Sequence, residues 1–401
     1  MPSPAKVKVR SRDFRGALGG FFLDFDLTEE QQMVRKVARD FAETRVKPIA
    51  AEIDRSARWP AETVKGLAEL GLLGMMVPAE YGGPGSDYVS YVGVVEELSR
   101  VCASTGVILS VNNSLFAYPL SSFGTHEQKE KYLRPIGEGK KLGSYALSEP
   151  GAGSDPAALK TTARPEGDFY ILNGTKHFIT NGPASDLCVV YANEDPSKGH
   201  RGISAFILEK GLKGFEVGSE EDKLGIRASG SCEMVFSDCA VPAGNRLGPS
   251  GEGFKIALKT LDAGRIGIAA QGTGIAQGAL DAAVEYAKNR TQFGRPIGDF
   301  QAIQWKLSDM AVGVEAARLL TIRAAWLKDL GEPHSLEASE AKLFASQVAM
   351  QASTDAVQIF GGVGYTKDYP VERFYRDAKI TEIYEGTSEV QHIVISRAML
   401  R

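Results

Sequence analysis

Asp168-Phe-Tyr-Ile-Leu-Asn173-Gly174-Thr-Lys176-His-Phe178-Ile-Thr180 is the stretch whose reading decides the fold class of this chain. Runs of aromatic and β-branched residues, 168–172 and 176–180, flank Asn173-Gly174. An Asn-Gly pair between two such runs is a strong signal for a β-hairpin. Working outward, residues 143–147, 187–192, 203–209 and 231–236 have the same character and are separated by Gly, Pro, Asn and Asp. No helical pattern of ten residues lies between them, so an antiparallel sheet or barrel is expected and a parallel βαβ sheet is not.

On both sides of this segment the period becomes helical. Thr28 with Gln31 and Thr125 with Gln128 have the capping-box form. Helical spacing runs from residue 29 toward Val46 and over 62–73 after Pro60, 89–100 and 105–116, with a Tyr81-Gly-Gly-Pro-Gly85 loop between the second and third. Beyond Pro249 it resumes over 254–289, 300–330, 336–360 and 390–400, lengths that suit a four-helix bundle. The expected fold is α+β: a tail over 1–24, an N-terminal helical domain over 25–141, a middle β domain over 142–248 and a C-terminal bundle over 249–401.

Composition narrows the function. Lys plus Arg number 46 against 50 Asp plus Glu in 401 residues, a net charge of −4. That lacks the basic surplus of a nucleic-acid binder. Four cysteines without C-x-x-C spacing point to a reducing compartment. Five scattered histidines, with Glu130 where a zinc-protease helix opening at His126 would carry its second His, predict no metal site. The apolar run 266–280, bounded by Arg265 and Asp281, is too short to span a membrane and reads as a buried helix. Lys6, Lys8, Arg10, Arg12 and Arg15 give the tail a basic character compatible with either an organellar transit remnant or a solvated extension. No G-x-G-x-x-G opens a helix after a strand. Gly272-x-Gly274-x-x-x-Gly278 lies inside a helical run and reads as close helix packing. A Walker A loop and a G-x-S-x-G elbow are also missing from the sequence.

Five motifs in order go further: Tyr145-Ala-Leu-Ser-Glu-Pro-Gly-Ala-Gly-Ser154-Asp, Lys176-His-Phe-Ile-Thr-Asn181, Arg290-x-x-Phe293-Gly294, Gln358-Ile-Phe-Gly-Gly362 and Ile383-Tyr-Glu-Gly-Thr-Ser-Glu389. Together they resemble the acyl-CoA dehydrogenase family of flavoproteins, from about residue 25 to the C-terminus. Residues 104–115 and 261–271 resemble its short-chain, butyryl-CoA branch.

The resemblance implies FAD-dependent α,β-dehydrogenation of an acyl-CoA to the trans-2-enoyl-CoA, with Glu385 taking the Cα proton and the flavin taking the β-hydride. A carboxylate suits that task if burial raises its pKa. By the same resemblance Tyr145, Leu147, Ser148, Gly153 and Ser154 wrap the flavin, Ser154 also meeting the thioester arm. Phe178, Ile179 and Thr180 lie against the ring system, with Phe178 where relatives commonly carry Trp. Arg290, Phe293, Gln301, Gln358, Ile359, Phe360, Gly361 and Gly362 reach the FAD of a neighbouring subunit in a homotetramer, and Thr387, Ser388 and Glu389 grip the cofactor. Asp262, Arg265 and Gly386 meet the substrate, Arg265 being read equally as a structural ion-pair partner. Isovaleryl-type relatives place the base near the position of Gly264; this chain has Gly264 and Glu385.

The implied electron acceptor is an electron-transfer flavoprotein, and the implied location is bacterial cytoplasm, which is favoured, or mitochondrial matrix. Competing readings are a dehydrogenase of 2-methyl-branched short acyl-CoAs, an acyl-CoA oxidase using O₂, and a helical scaffold without flavin.

Overall fold

The computed structural model of the protein describes residues 26–400, so the basic tail and the reading placed on it lie outside the described residues. The first layer is helical: α1 (Glu29–Phe41), α2 (Ala50–Ser56), α3 (Ala61–Glu69), α4 (Tyr88–Val101), α5 (Ala103–Ser110), α6 (Tyr118–Phe123), α7 (His126–Gln128) and α8 (Arg134–Gly137). Both capping boxes form. The hydroxyls of Thr28 and Thr125 accept from the N–H of Gln31 and Gln128, whose side chains accept in return from the cap N–H groups. Helix α3 ends at Glu69, short of the expected 73, because Gly71 turns left-handed (φ 71°).

The middle layer is one eight-stranded sheet: β1 (Gly143–Ala146), β2 (Thr162–Glu166), β3 (Phe169–Thr180), β4 (Leu187–Asn193), β5 (Ile203–Glu209), β6 (Phe215–Glu220), β7 (Ser231–Pro242) and β8 (Arg246–Leu247). The order is β6-β7-β3-β2-β4-β5-β8, with β1 attached to β4. Two expectations are corrected here. The sheet is mixed and open, because β1 pairs parallel with β4 and β2 touches β4 in the same sense. Asn173-Gly174 is no hairpin but lies inside the continuous strand β3. Opposite it β7 carries the extra residue of a bulge, and Asn173 clamps that bulge through Asp238, donating from Nδ2 at 3.1 Å and accepting the Asp238 N–H at 2.9 Å. Gly174 is required there because a Cβ would sit 2.5 Å from Thr161 Oγ1. The hairpin before β3 turns instead at Gly167-Asp168 (Gly167 φ 57°).

The last layer holds α9 (Gly253–Asn289), a two-residue pair β9 (Thr291–Gln292) and β10 (Arg295–Pro296), then α10 (Gln301–Asp329), α11 (Ser335–Phe360), α12 (Val371–Thr381) and α13 (Ser388–Met399). The helix α12 was not foreseen. The run 266–280 is buried inside α9 as expected. Its glycines pack helices together: a Cβ on Gly278 or Gly274 would strike the carbonyl of Arg100 or Glu96 in α4. Helices α9 and α11 run side by side in the same direction, with Arg265 at Ser339, Gly272 at Ala345 and Tyr286 stacked on Phe360 (4.0 Å between rings). The first layer is tied to the last through buried Glu96 and Glu97, which pair with Arg35 and Arg39 of α1, Arg100 of α4 and Arg318 of α10.

Candidate active site

The short loop between α12 and α13 carries Glu385 in the left-handed region (φ 52°), followed by Gly386 (φ 92°). A residue with a Cβ holds that conformation only where its surroundings fix it. Five contacts do so. The Tyr384 hydroxyl donates to Gln271 Oε1 of α9, Lys342 Nζ of α11 donates to the Gly386 carbonyl at 2.7 Å, and Gln391 Nε2 donates to the same carbonyl at 2.8 Å. Thr387 caps α13 by accepting the Val390 N–H, and the Ser388 N–H closes the loop on the Glu382 carbonyl at 3.0 Å.

The Glu385 carboxyl points onto Gly264 of α9, which leaves it room: a Cβ at 264 would collide with Oε2. That oxygen is buried and has no hydrogen-bond partner among the described residues. Around it stand Leu115, the phenols of Tyr91 and Tyr145, and the cations Lys342 and Arg265. Burial dominates, and pushes the Glu385 carboxyl up to about 8 although both cations pull the other way. Arg265 is itself buried, pairs with Asp262 at 2.7 Å and leaves Nε without a partner among the described residues. The ion-pair reading of Arg265 therefore holds, and the guanidinium also faces Glu385.

Beside this pocket the residues expected to wrap a flavin form an open strip. Tyr145, Leu147 and Ile179 are buried, whereas Gly153 and Ser154 are exposed and Ser148 and Thr180 half-buried. A Cβ added to Gly151 or Gly153 would meet nothing within 4 Å, so the backbone there is open to a ligand. A bulge in β3 between Lys176 and Ile179 puts Phe178 at φ 58° and turns its ring outward, stacked on His177 at 4.0 Å. Beneath the strip lies a buried ion pair, Lys176 with Glu149 at 2.8 Å. Lys176 also donates to the Leu147 carbonyl at 3.0 Å, and Glu149 accepts the N–H groups of Lys160 and Thr161. The orphaned carboxylate oxygen, the open glycine backbone and the outward aromatic ring fit a flat cofactor bordered by an acyl thioester.

The remaining predicted residues gather elsewhere. Arg290 follows α9, and Phe293-Gly294 forms the turn of the β9–β10 hairpin with both φ values positive (51° and 79°), which leaves Phe293 94% exposed. Gln301 and Gln358 are exposed, as are Gly361 and Gly362, where a Cβ would meet nothing. Ile359 and Phe360 differ: their side chains are core, Phe360 lying on Tyr286, so they are not presented to a ligand. Arg290 lies beyond the far end of α9, about 39 Å of helix from Gly264. Within one chain these residues and Glu385 belong to two separate clusters. Thr387, Ser388, Glu389, Asp262 and Gly386 fall with Glu385.

Sequence reading assigned no role to Lys342, Gln271, Gln391, Tyr91, or the pair Glu149–Lys176. Lys342 had a signal: it stands in register with Ala338, Ala341, Ala345 and Ala349, the buried stripe of α11.

Family models described as the acyl-CoA dehydrogenase N-terminal, middle and C-terminal domains match residues 28–140, 144–239 and 251–400. The chain is 56% identical over 379 residues to a short-chain specific acyl-CoA dehydrogenase of Clostridium acetobutylicum, covering 94% of this chain and 100% of that protein. It is 52% identical over 398 residues to a mitochondrial short-chain specific acyl-CoA dehydrogenase of Mus musculus, covering 99% and 96%. The solved butyryl-CoA dehydrogenase of Megasphaera elsdenii superposes with a TM-score of 0.93 at 50% identity, covering 94% of this chain and all of that one.

Proposed function

The chain belongs to the acyl-CoA dehydrogenase family, and from that premise we propose that it oxidises short, butyryl-like acyl-CoA thioesters at Cα–Cβ with Glu385 as the base. It is an oxidoreductase, and FAD is its cofactor. The observation that carries the residue assignment is the Glu385 carboxyl, whose Oε2 is buried and has no partner among the described residues and whose pKa is raised to about 8 by its surroundings. Once ionised, such a carboxylate is a far stronger base than a solvated one.

Bound FAD supplies the acceptor for the hydride that leaves Cβ. The chain supplies the rest. Glu385 holds its carboxyl where a Cα proton can be removed, and Gly264 keeps that position clear. Among the described residues the Glu385 N–H is engaged by none of the hydrogen bonds that hold the loop, which leaves it to donate to the thioester oxygen on which negative charge grows. Buried Leu115, Tyr91 and Tyr145 keep water from the carboxyl, which strengthens both effects.

The strip Tyr145–Ser154 with Phe178, Ile179 and Thr180 would hold the flavin of the same chain, and Thr387, Ser388 and Glu389 would close over it. The distal cluster, Arg290, Phe293, Gln301 and the backbone of Gln358 to Gly362, would bind the cofactor of a neighbouring chain, the Arg fork suiting a pyrophosphate. A homotetramer satisfies that geometry. Electrons would pass on to an electron-transfer flavoprotein. Four buried free cysteines suit a reducing compartment, bacterial cytoplasm in preference to mitochondrial matrix. No described helix is long and apolar enough to cross a membrane.

The test is an anaerobic visible spectrum of the purified protein before and after butyryl-CoA. An oxidised-flavin spectrum that bleaches supports the reading. Flavin that stays oxidised with butyryl-CoA but bleaches with 2-methylbutyryl-CoA moves the substrate to the branched class, and hydrogen peroxide formed stoichiometrically in air makes the protein an oxidase.

A further inference from the structure

Lys342 is fully buried near the start of α11, on the face that packs against α9, among Ala338, Ala341 and Ala345. An ammonium group in such a place is disfavoured unless a partner compensates it, and Leu or Met would fill the same space without that cost. It makes no ion pair within 4 Å among the described residues; its hydrogen bond goes to the carbonyl of Gly386, next to the base. Building on the reading of Glu385 as the base, we propose that Lys342 is the positioning residue of the base loop, anchoring the Gly386 carbonyl and setting a cation behind the Glu385 carboxylate.

Loop geometry is the first support. Glu385 and Gly386 are both left-handed, and the Gly386 carbonyl receives two donors, Lys342 Nζ at 2.7 Å and Gln391 Nε2 at 2.8 Å. Gln391 also reaches the Glu385 carbonyl at 3.4 Å. The peptide carrying the base is thus held from α11 and α13 at once.

Charge is the second support. Glu385 faces Lys342 from α11 and Arg265 from α9, with the phenols of Tyr91 from α4, Tyr145 from β1 and its neighbour Tyr384. Arg265 is already paired with Asp262. Lys342 has no such carboxylate and feels Glu385 most strongly, with Glu382 and Glu389 adding to the attraction and Arg265 opposing it. Burial drives its own pKa down to about 8. Removing this cation should therefore make the carboxylate harder to form and raise the pKa of the base.

The experiment follows the protonated carboxyl stretch of Glu385 by infrared difference spectroscopy on the FAD-loaded protein across pH, the band being identified by its loss in E385Q. In K342M the midpoint should rise by roughly one unit. K342Q, which offers an amide donor without charge, should show the same rise. Q391L removes a neutral donor to the same carbonyl and should leave the midpoint where it is. Flavin reduction by butyryl-CoA should slow in K342M with little change in KM. A midpoint unmoved in K342M or K342Q, or moved as far by Q391L, overturns the proposal; if K342M does not fold, K342Q carries the comparison. Failure of the parent protein to be reduced by butyryl-CoA would sink the functional reading alone, since the infrared titration needs no turnover.

Discussion

Gly264 and Glu385 share one space: the α9 backbone at 264 comes so close to Oε2 of Glu385 that a Cβ there would collide with it and stand 2.8 Å from Leu115 Cδ2. Glycine inside a helix is disfavoured by about 1 kcal/mol relative to alanine, so its presence in the middle of α9 answers a steric need. G264A should therefore keep its fold and its flavin, the helical gain offsetting part of the clash. Its carboxyl would be displaced by about 1 Å, and flavin reduction by butyryl-CoA should slow on the order of 10²-fold. Stopped-flow absorbance checks this, and a normal rate would show that the carboxyl does not work from where it sits.

E385Q preserves the shape of the side chain and removes the proposed base. Flavin should remain bound, as read from the visible spectrum, while its reduction falls by at least about 10³-fold. Since the two positions border one space, G264E/E385G should recover measurable reduction over E385G alone. No recovery would mean that the arrangement of isovaleryl-type relatives does not transfer to this pocket.

The pH dependence follows from the direction of the Glu385 shift. Its pKa is raised to about 8, so below that pH the carboxyl carries a proton and does not act as a base. The rate of flavin reduction should climb with pH through about 8 and level off above it. A rate flat from about pH 6 to about pH 9 would place the base elsewhere.

Much of this site was legible because its chemistry is local. Loop motifs such as 383–389 and 145–155 carry Glu385 and the open glycines in consecutive residues. Long-range relations were not. Asn173-Gly174 satisfied a local hairpin rule, but β7 lies opposite with an extra residue, and tertiary pairing converted the turn signal into the clamp of a bulge. Lys342 and Gln391 gain their meaning only when the loop after α12 folds back onto α11, a contact that no spacing in the sequence announces. The parallel attachment of β1 to β4 depends likewise on a crossover through β2 and β3.

The pair Lys176–Glu149 lies beneath the strip proposed for the flavin, and both side chains are buried. Removing one member leaves an uncompensated charge, so K176M should lose about 3–5 kcal/mol of stability and bind FAD more weakly. Replacing both, as in K176M/E149L, should cost less than K176M alone. Urea unfolding with flavin fluorescence reads both quantities; equal losses in single and double variants would mean that the pair does not act as a unit.

The last prediction concerns the two clusters. Glu385 lies at Gly264, whereas Arg290 follows the end of α9 about 39 Å away, so one FAD molecule completed by both must join two chains. R290A and E385Q should each be inactive as pure proteins. In a mixed assembly the R290A chain contributes Glu385 while the E385Q chain contributes Arg290, and the site built from those two halves is intact. Random mixing into pairs related by a two-fold axis makes half of the pairs mixed, with one intact site each, so about a quarter of parental activity should return on co-expression. Neither homogeneous variant can produce it, and no recovery at full flavin loading would mean that each chain completes its site alone.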